Sequence, residues 1–268
     1  AHSTARTVLR AAHSEAFYTM DKDFVLEYAL DIGEQMVICG AEISRVEDTI
    51  ERICRAYGAE RIDVFSITSC IIATLKVEGE PPVTQTRRIR SSNTDFTKLD
   101  KLNALSRRIC ENKPDQAELR REFKRIELSE PLGKLGQYAS FALVSASSSV
   151  FFGGSWGDAF VACIVGLILR WLTIVCKRFH INGILSDFLC AFGGGLVAML
   201  ALRLGLGNSF DKIAIGDIMP LIPGILLTNS LRDMISGDTV SGLLRLCNAL
   251  LGSVAIAMGF ALAGGMLG

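Results

Sequence analysis

Residues 156–176 read WGDAFVACIVGLILRWLTIVC, and this run decides the fold. Only Asp158 and Arg170 carry charge within it. A helix needs about 20 mainly apolar residues to cross about 30 Å of hydrocarbon, and this run has them. Working outward, residues 135–153, 184–206, 213–231 and 242–267 meet the same requirement approximately. The expectation is an α-helical membrane bundle of about five transmembrane helices, filling 134–268. Residues 20–133 are of another kind and predict a small α/β domain ahead of the bundle.

Charge draws the same boundary. The chain is formally neutral, with 28 Lys/Arg and 28 Asp/Glu in 268 residues. Through Gly136 it carries 21 basic and 22 acidic residues, which leaves seven and six for the rest. No basic excess speaks for nucleic acid as a partner. Eight cysteines stand singly, without zinc-ligand spacing, and read as small buried hydrophobes in a reducing compartment. No metal or cofactor is called for. Residues 1–19 precede the natural-looking start Met20-Asp21-Lys22-Asp23 and are set aside as a construction or processing remnant.

In the first domain, Phe24–Val37 has helical apolar spacing. Ser44-Arg45-Val46-Glu47 fits a capping box, with Val46, Ile50, Ile53/Cys54 and Tyr57 as the stripe behind it and Gly58 as the stop. Strands are expected over Ile62–Ile67, over Ile71–Val77, where Ile71, Ala73 and Leu75 share one face, and over Val83–Arg90. Lys98–Cys110 and Asp115–Leu128 complete the domain as helices. It contains no phosphate loop, dinucleotide fingerprint, metalloprotease helix or nucleophile elbow, so an enzyme is not predicted. Arg87-Arg88-Ile89-Arg90 reads as a solvated strand edge.

The segment Ile215-Gly216-Asp217-Ile218-Met219-Pro220-Leu221-Ile222-Pro223-Gly224 departs most from an ordinary apolar helix. Each proline removes an amide donor and obstructs the preceding turn, and Gly224 lets another backbone approach. Hydrocarbon does not tolerate the freed backbone groups, so protein or a watery cavity must meet them. Transporters place substrate sites at such breaks. If helical spacing persisted, Asp217, Gly224 and Thr228 would share a side. Asp217 is then the candidate to bind a proton or a substrate amino group, with Thr228 and Asn229 as neutral hydrogen-bonding groups. A shallow, solvated position for Asp217 is the plain alternative. Arg232, Asp233 and Asp238 close the segment as candidate gate residues, through ion pairs that break and reform, or as interfacial anchors. Arg170 is expected to snorkel toward the interface. Asp158 and Asp187 fall at helix beginnings, which favour carboxylates. Ser145–Ser149, Gly193–Gly195 and Gly264/Gly268 predict close helix packing.

Lys124, Arg125 and Lys134, followed by Lys177 and Arg178, put the amino-terminal domain in the cytoplasm and the carboxyl terminus outside.

Pro220-Leu221-Ile222-Pro223-Gly224, Asn229-Ser230-Leu231-Arg232-Asp233 and Gly237-Asp238-x-x-x-Gly242 together resemble the threonine/serine exporter family. Gly40-Ala41-Glu42-Ile43-Ser44-Arg45-Val46-Glu47-Asp48 and Thr86-Arg87-Arg88-Ile89 resemble that family's cytoplasmic domain. The resemblance runs from about Phe24 to the end. It implies a secondary exporter of small hydrophilic metabolites in the bacterial inner membrane, with threonine, serine or dicarboxylates such as succinate as substrates. It also implies similarity to the larger subunit of two-component members, which pair with a separate small membrane protein. A homo-oligomer is compatible with the pattern. The competing class is a membrane-tethered sensor whose α/β domain binds the ligand.

Overall fold

The computed structural model describes residues 22–90, 93–129 and 133–267. Residues 1–19, read above as a remnant, lie outside them. The chain divides into two compact units. One runs to residue 131 and also takes in 228–245, and the other holds 132–227 and 246–268.

In the first unit, α1 (Lys22–Ile38) and α2 (Ile43–Ala56) precede β1 (Arg61–Ile67), β2 (Cys70–Lys76) and β3 (Val83–Arg88). Then follow α3 (Phe96–Asn112) and α4 (Gln116–Glu127). The strands form an antiparallel sheet in the order β1-β2-β3, with Phe65 opposite Ile72 and Ile72 opposite Thr86. Period-two alternation places Ile71, Ala73 and Leu75 in the core while Ile72 and Lys76 face outward. The α2 stripe of Val46, Ile50, Ile53, Cys54 and Tyr57 joins the same core, as do Leu26, Leu30, Ile32 and Met36 of α1. Gly33 is where the two helices touch most closely, because a Cβ there would lie 2.7 Å from Ile50 Cδ1. Asp95 and Asp115 cap α3 and α4 by accepting from Lys98 N and Glu118 N. Arg87, on the edge strand, pairs with Asp31 of α1 at 2.7 Å.

The capping box at Ser44 does not form. The α2 N-cap is Glu42, with no side-chain cap of its own. Glu47 turns away to accept the Ser66 amide of β1 at 2.7 Å, and a residue far along the chain meets the helix start instead.

The second unit contains α5 (Lys134–Phe151), α6 (Trp156–Arg178), α7 (Gly183–Arg203) and α8 (Phe210–Ile218). α9 (Gly224–Ile235) and α10 (Thr239–Leu267) each contribute to both units. Among the described residues three helices are long and apolar enough to cross a membrane: Trp156–Arg178, Gly183–Arg203 and Thr239–Met266. By length and composition the expected count of about five is not confirmed. α5 is diluted by its serines, and the predicted span at 213–231 is two short helices, α8 and α9, separated at residues 219–223 around Pro220 and Pro223.

Small residues pack these helices as expected. A Cβ on Gly194 would lie 2.7 Å from Leu169 Cδ2, on Gly195 2.6 Å from Ala263 Cβ, and on Gly259 2.7 Å from the Phe188 carbonyl. Gly268 is outside the described residues. Ser155 and Asp158 form a complete capping box at α6, and Asp158 also accepts Asn208 N at 2.6 Å and Ser209 N at 3.0 Å. Arg170 bonds Gln137 in the first turn of α5 and lies over the Phe141 ring of the same helix, 5.6 Å from its centroid. All eight cysteines are free; Cys39, Cys54, Cys176 and Cys190 are buried as expected, while Cys247 is exposed.

The alternation in β2 gives a direct check. Ile71→Ala should destabilise the protein by about 2–5 kcal/mol, and Ile72→Ala by roughly 0.5 kcal/mol or less. Chemical denaturation followed by β-sheet circular dichroism separates the two.

Candidate functional site

The break after α8 places Asp217 one residue from the helix end. Its neighbour Gly216 brings α8 against α5 so closely that a Cβ there would lie 2.6 Å from the Ser145 carbonyl and 2.9 Å from Ser149 Cβ. A Cβ on Gly166 of α6 would lie 2.7 Å from Ser145 Oγ. Two glycines thus fit three helices around the serines. Asp217, Ser145 and Ser149 are all fully buried. Ser145 is the side chain that interacts with the Asp217 carboxyl, yet neither carboxylate oxygen, nor either serine hydroxyl, completes a hydrogen bond of good geometry. Sequence reasoning named Asp217 but assigned the serines to packing. They are packed, and they are also the polar surroundings of the aspartate.

The backbone at the break is partly repaired. Leu221 N and Ile222 N both donate to the Ile218 carbonyl, at 2.9 and 3.0 Å, and the Pro223 carbonyl accepts from Leu227 N at 3.1 Å. Pro220 and Pro223 therefore sit in tight turns between two helices. Gly224 is not a point of close approach, since a Cβ added there meets nothing within 4 Å. That role belongs to Gly216, because the helix ends before Gly224 can be pressed against a neighbour.

Residues 219–223 are not helical, so Asp217 and Thr228 do not share one continuous helix, and the other candidates belong to the first unit. Asn229 offers its amide to backbone: Nδ2 donates to the Gly40 carbonyl at 2.8 Å. Arg245 NH2 donates to the Ala41 carbonyl at 2.7 Å. Arg232 pairs with Glu42, and Asp233 Oδ1 accepts the Ile43 amide at 3.3 Å. Four side chains of the α9–α10 hairpin therefore hold the turn between α1 and α2. Gly40, at φ +93°, gives that turn its shape. The Ile43 amide is one of the donors a helix start leaves free, and Asp233 is the distant residue that meets it.

Asp233 itself is buried beside Arg245, with Nε and Oδ2 3.3 Å apart. Burial pushes the Asp233 carboxyl up from its ordinary range, and the Arg245 guanidinium pulls it back down. The hairpin is closed tightly, for a Cβ on Gly242 would lie 2.7 Å from the Ser230 carbonyl. Asp238 stands just before α10, its carbonyl accepting Gly242 N at 2.9 Å. Arg245 was absent from the sequence-based set. Its only signal was a guanidinium one turn and more inside an apolar helix.

The threonine/serine exporter family matches residues 27–266. The chain belongs to this family. It is 26% identical to a probable threonine/serine exporter of Mycobacterium tuberculosis over 88% of its length, and 24% identical to a threonine/serine exporter of Corynebacterium glutamicum over 89%. It spans about half the length of each, 45% and 50%. It is also 22% identical to the probable succinate transporter subunit YjjP of Escherichia coli, over 89% of this chain and 93% of that one. No solved structure matches. Family and apolar helices together make this a membrane protein.

Among the described residues no group of three or more His, Cys, Asp or Glu could hold a metal ion. The turn held by the hairpin depends on the Asp233–Arg245 pair. Arg245→Ala leaves Asp233 buried without its counter-charge and should cost about 3–5 kcal/mol. Hydrogen exchange at residues 40–46 should accelerate in that variant, and Arg245→Lys should restore part of the protection.

Proposed function

We propose that the chain is a subunit of a secondary exporter that moves small hydrophilic metabolites out of the cell across the bacterial inner membrane. Threonine, serine and dicarboxylates such as succinate are the substrate classes. The observation that carries this reading is Asp217: a fully buried carboxyl beside a broken helix, with no completed hydrogen bond. A charged group is costly in such surroundings unless it is paired or used. Asp217 supplies the exchangeable position, taking a proton or the substrate's amino group in alternation, with Ser145 and Ser149 as its hydrogen-bonding company. Turns at Pro220 and Pro223 give this place backbone freedom that an intact helix lacks.

Arg232, Asp233 and Asp238 act at the gate. The Arg232–Glu42 and Asp233–Arg245 pairs and the bonds to Gly40, Ala41 and Ile43 are the contacts that break and re-form during the cycle. Asn229 serves this latch, and Thr228 and Gly224 lie along the helix leading to it. The amino-terminal domain faces the cytoplasm and the carboxyl terminus the outside, as the placement of Lys and Arg beside the spans supports. A second small membrane subunit completes the carrier. The Escherichia coli relative, nearly all of which this chain covers, is itself named a subunit.

Reconstituted exchange across a pH series tests the role of Asp217. Asp217→Asn should reduce proton-dependent exchange by about 100-fold or more, the order of effect expected for removing a proton-transfer group, while Asp217→Glu retains part of it. An unchanged rate and pH profile in Asp217→Asn would remove this residue from the mechanism.

A further inference from the structure

A second polar place lies far from this chemistry in sequence, between α2 and α3 in the amino-terminal unit. Arg45, Thr49 and Arg52 recur at helical spacing on α2, and Asn103, Arg107 and Glu111 do so on α3. They line a cavity of about 360 Å³, within the size range of small-molecule sites.

Its walls are not satisfied by one another. Arg52 is committed to Asp48 at 2.9 Å. Arg45, Arg107 and Glu111 make no ion pair and no side-chain hydrogen bond among the described residues, although all three line one cavity. Asn103 is only 9% exposed as a residue, its side-chain amide makes no hydrogen bond among the described residues, and the polar atoms of that amide are not sealed from solvent. Thr49 and Ser106 spend their hydroxyl protons on the Arg45 and Asn103 carbonyls, at 2.8 and 2.9 Å, which leaves their oxygens as acceptors. An amide at the cavity wall, with two exposed guanidinium groups beside it that no carboxylate of the protein engages, offers a set of donors to an incoming anion.

We propose that this cavity binds a small carboxylate-bearing metabolite and is a regulatory site. Arg45 and Arg107 take the carboxylate, since a guanidinium presents paired donors that match its two oxygens. Asn103 bonds the ligand at the floor. Glu111 receives an amino group where the ligand has one and repels a compact dianion such as phosphate. Occupancy draws α2 toward α3, and α2 is the helix whose first amide is held by Asp233. A ligand on Arg45 therefore acts two residues from the Ile43–Asp233 bond. The site uses none of the residues around Asp217, so ligand binding there is independent of the transport reading, while its regulatory role rests on it.

Cys110, half-buried in the cavity wall, is a built-in reporter. Burial pushes its thiol up, so alkylation is run at mildly alkaline pH. Full-length protein in nanodiscs is treated with iodoacetamide in the presence of L-threonine, succinate or inorganic phosphate, and labelling of Cys110 and of Cys70 is followed by peptide mass spectrometry. Threonine or succinate at about ten times its dissociation constant should slow Cys110 labelling about tenfold and leave Cys70 unchanged. Arg107→Ala and Asn103→Ala should each weaken this protection by about tenfold or more, and Asp217→Asn should retain it. Because Arg107 is exposed, its variant carries the test if Asn103→Ala does not fold. The proposal is overturned if no carboxylate protects Cys110 saturably, if protection survives Arg107→Ala, or if phosphate protects equally well.

Discussion

A charge removed from water must find its compensation inside the protein, and three aspartates of this chain meet that constraint differently. Asp158 is buried at the start of α6 and is met in full, by Ser155, Asn208 and Ser209. Asp233 is buried against Arg245 and takes a backbone amide as well. Asp217 is buried with no completed hydrogen bond. Asp158 has both oxygens met, whereas Asp233 keeps Oδ2 without a hydrogen bond, 3.3 Å from the Arg245 guanidinium. The third has no completed hydrogen bond, which is the observation behind the role proposed for it.

The solution found by Asp233 shapes the rest of its unit. A helix start with no side-chain cap of its own is stable here because a carboxylate from α9 reaches it, while Asn229 and Arg245 take the carbonyls of Gly40 and Ala41. Glu47, the residue expected to cap α2, is thereby free to tie the helix to β1 through the Ser66 amide. Each of these bonds is modest alone. Together they join two stretches about 190 residues apart, so a change at one is felt at the other. The cavity on the far flank of Arg45 draws on the same helix.

Most of the secondary structure was legible in local pattern. The β2 alternation and the α2 stripe involve residues a few positions apart, and the structure has them nearly where periodicity put them. The break at Pro220 and Pro223 was legible too, because proline's missing amide acts wherever it stands. The same break interrupts the continuous helical register on which the alignment of Thr228 with Asp217 was argued.

By itself the sequence determined the division into a charged α/β portion and an apolar helical portion, the strand faces, and the interrupted segment around Asp217, since all of these follow from local hydrophobicity and backbone chemistry. Only the tertiary structure decided that Asn229 and Arg232 bind the α1–α2 turn, that Arg245 is Asp233's partner, that Ser145 and Ser149 surround Asp217, and that Gly216 rather than Gly224 lets helices touch. Those depend on which distant groups are brought within about 3 Å of one another, and hydrogen bonding at that range leaves no periodic trace in the chain.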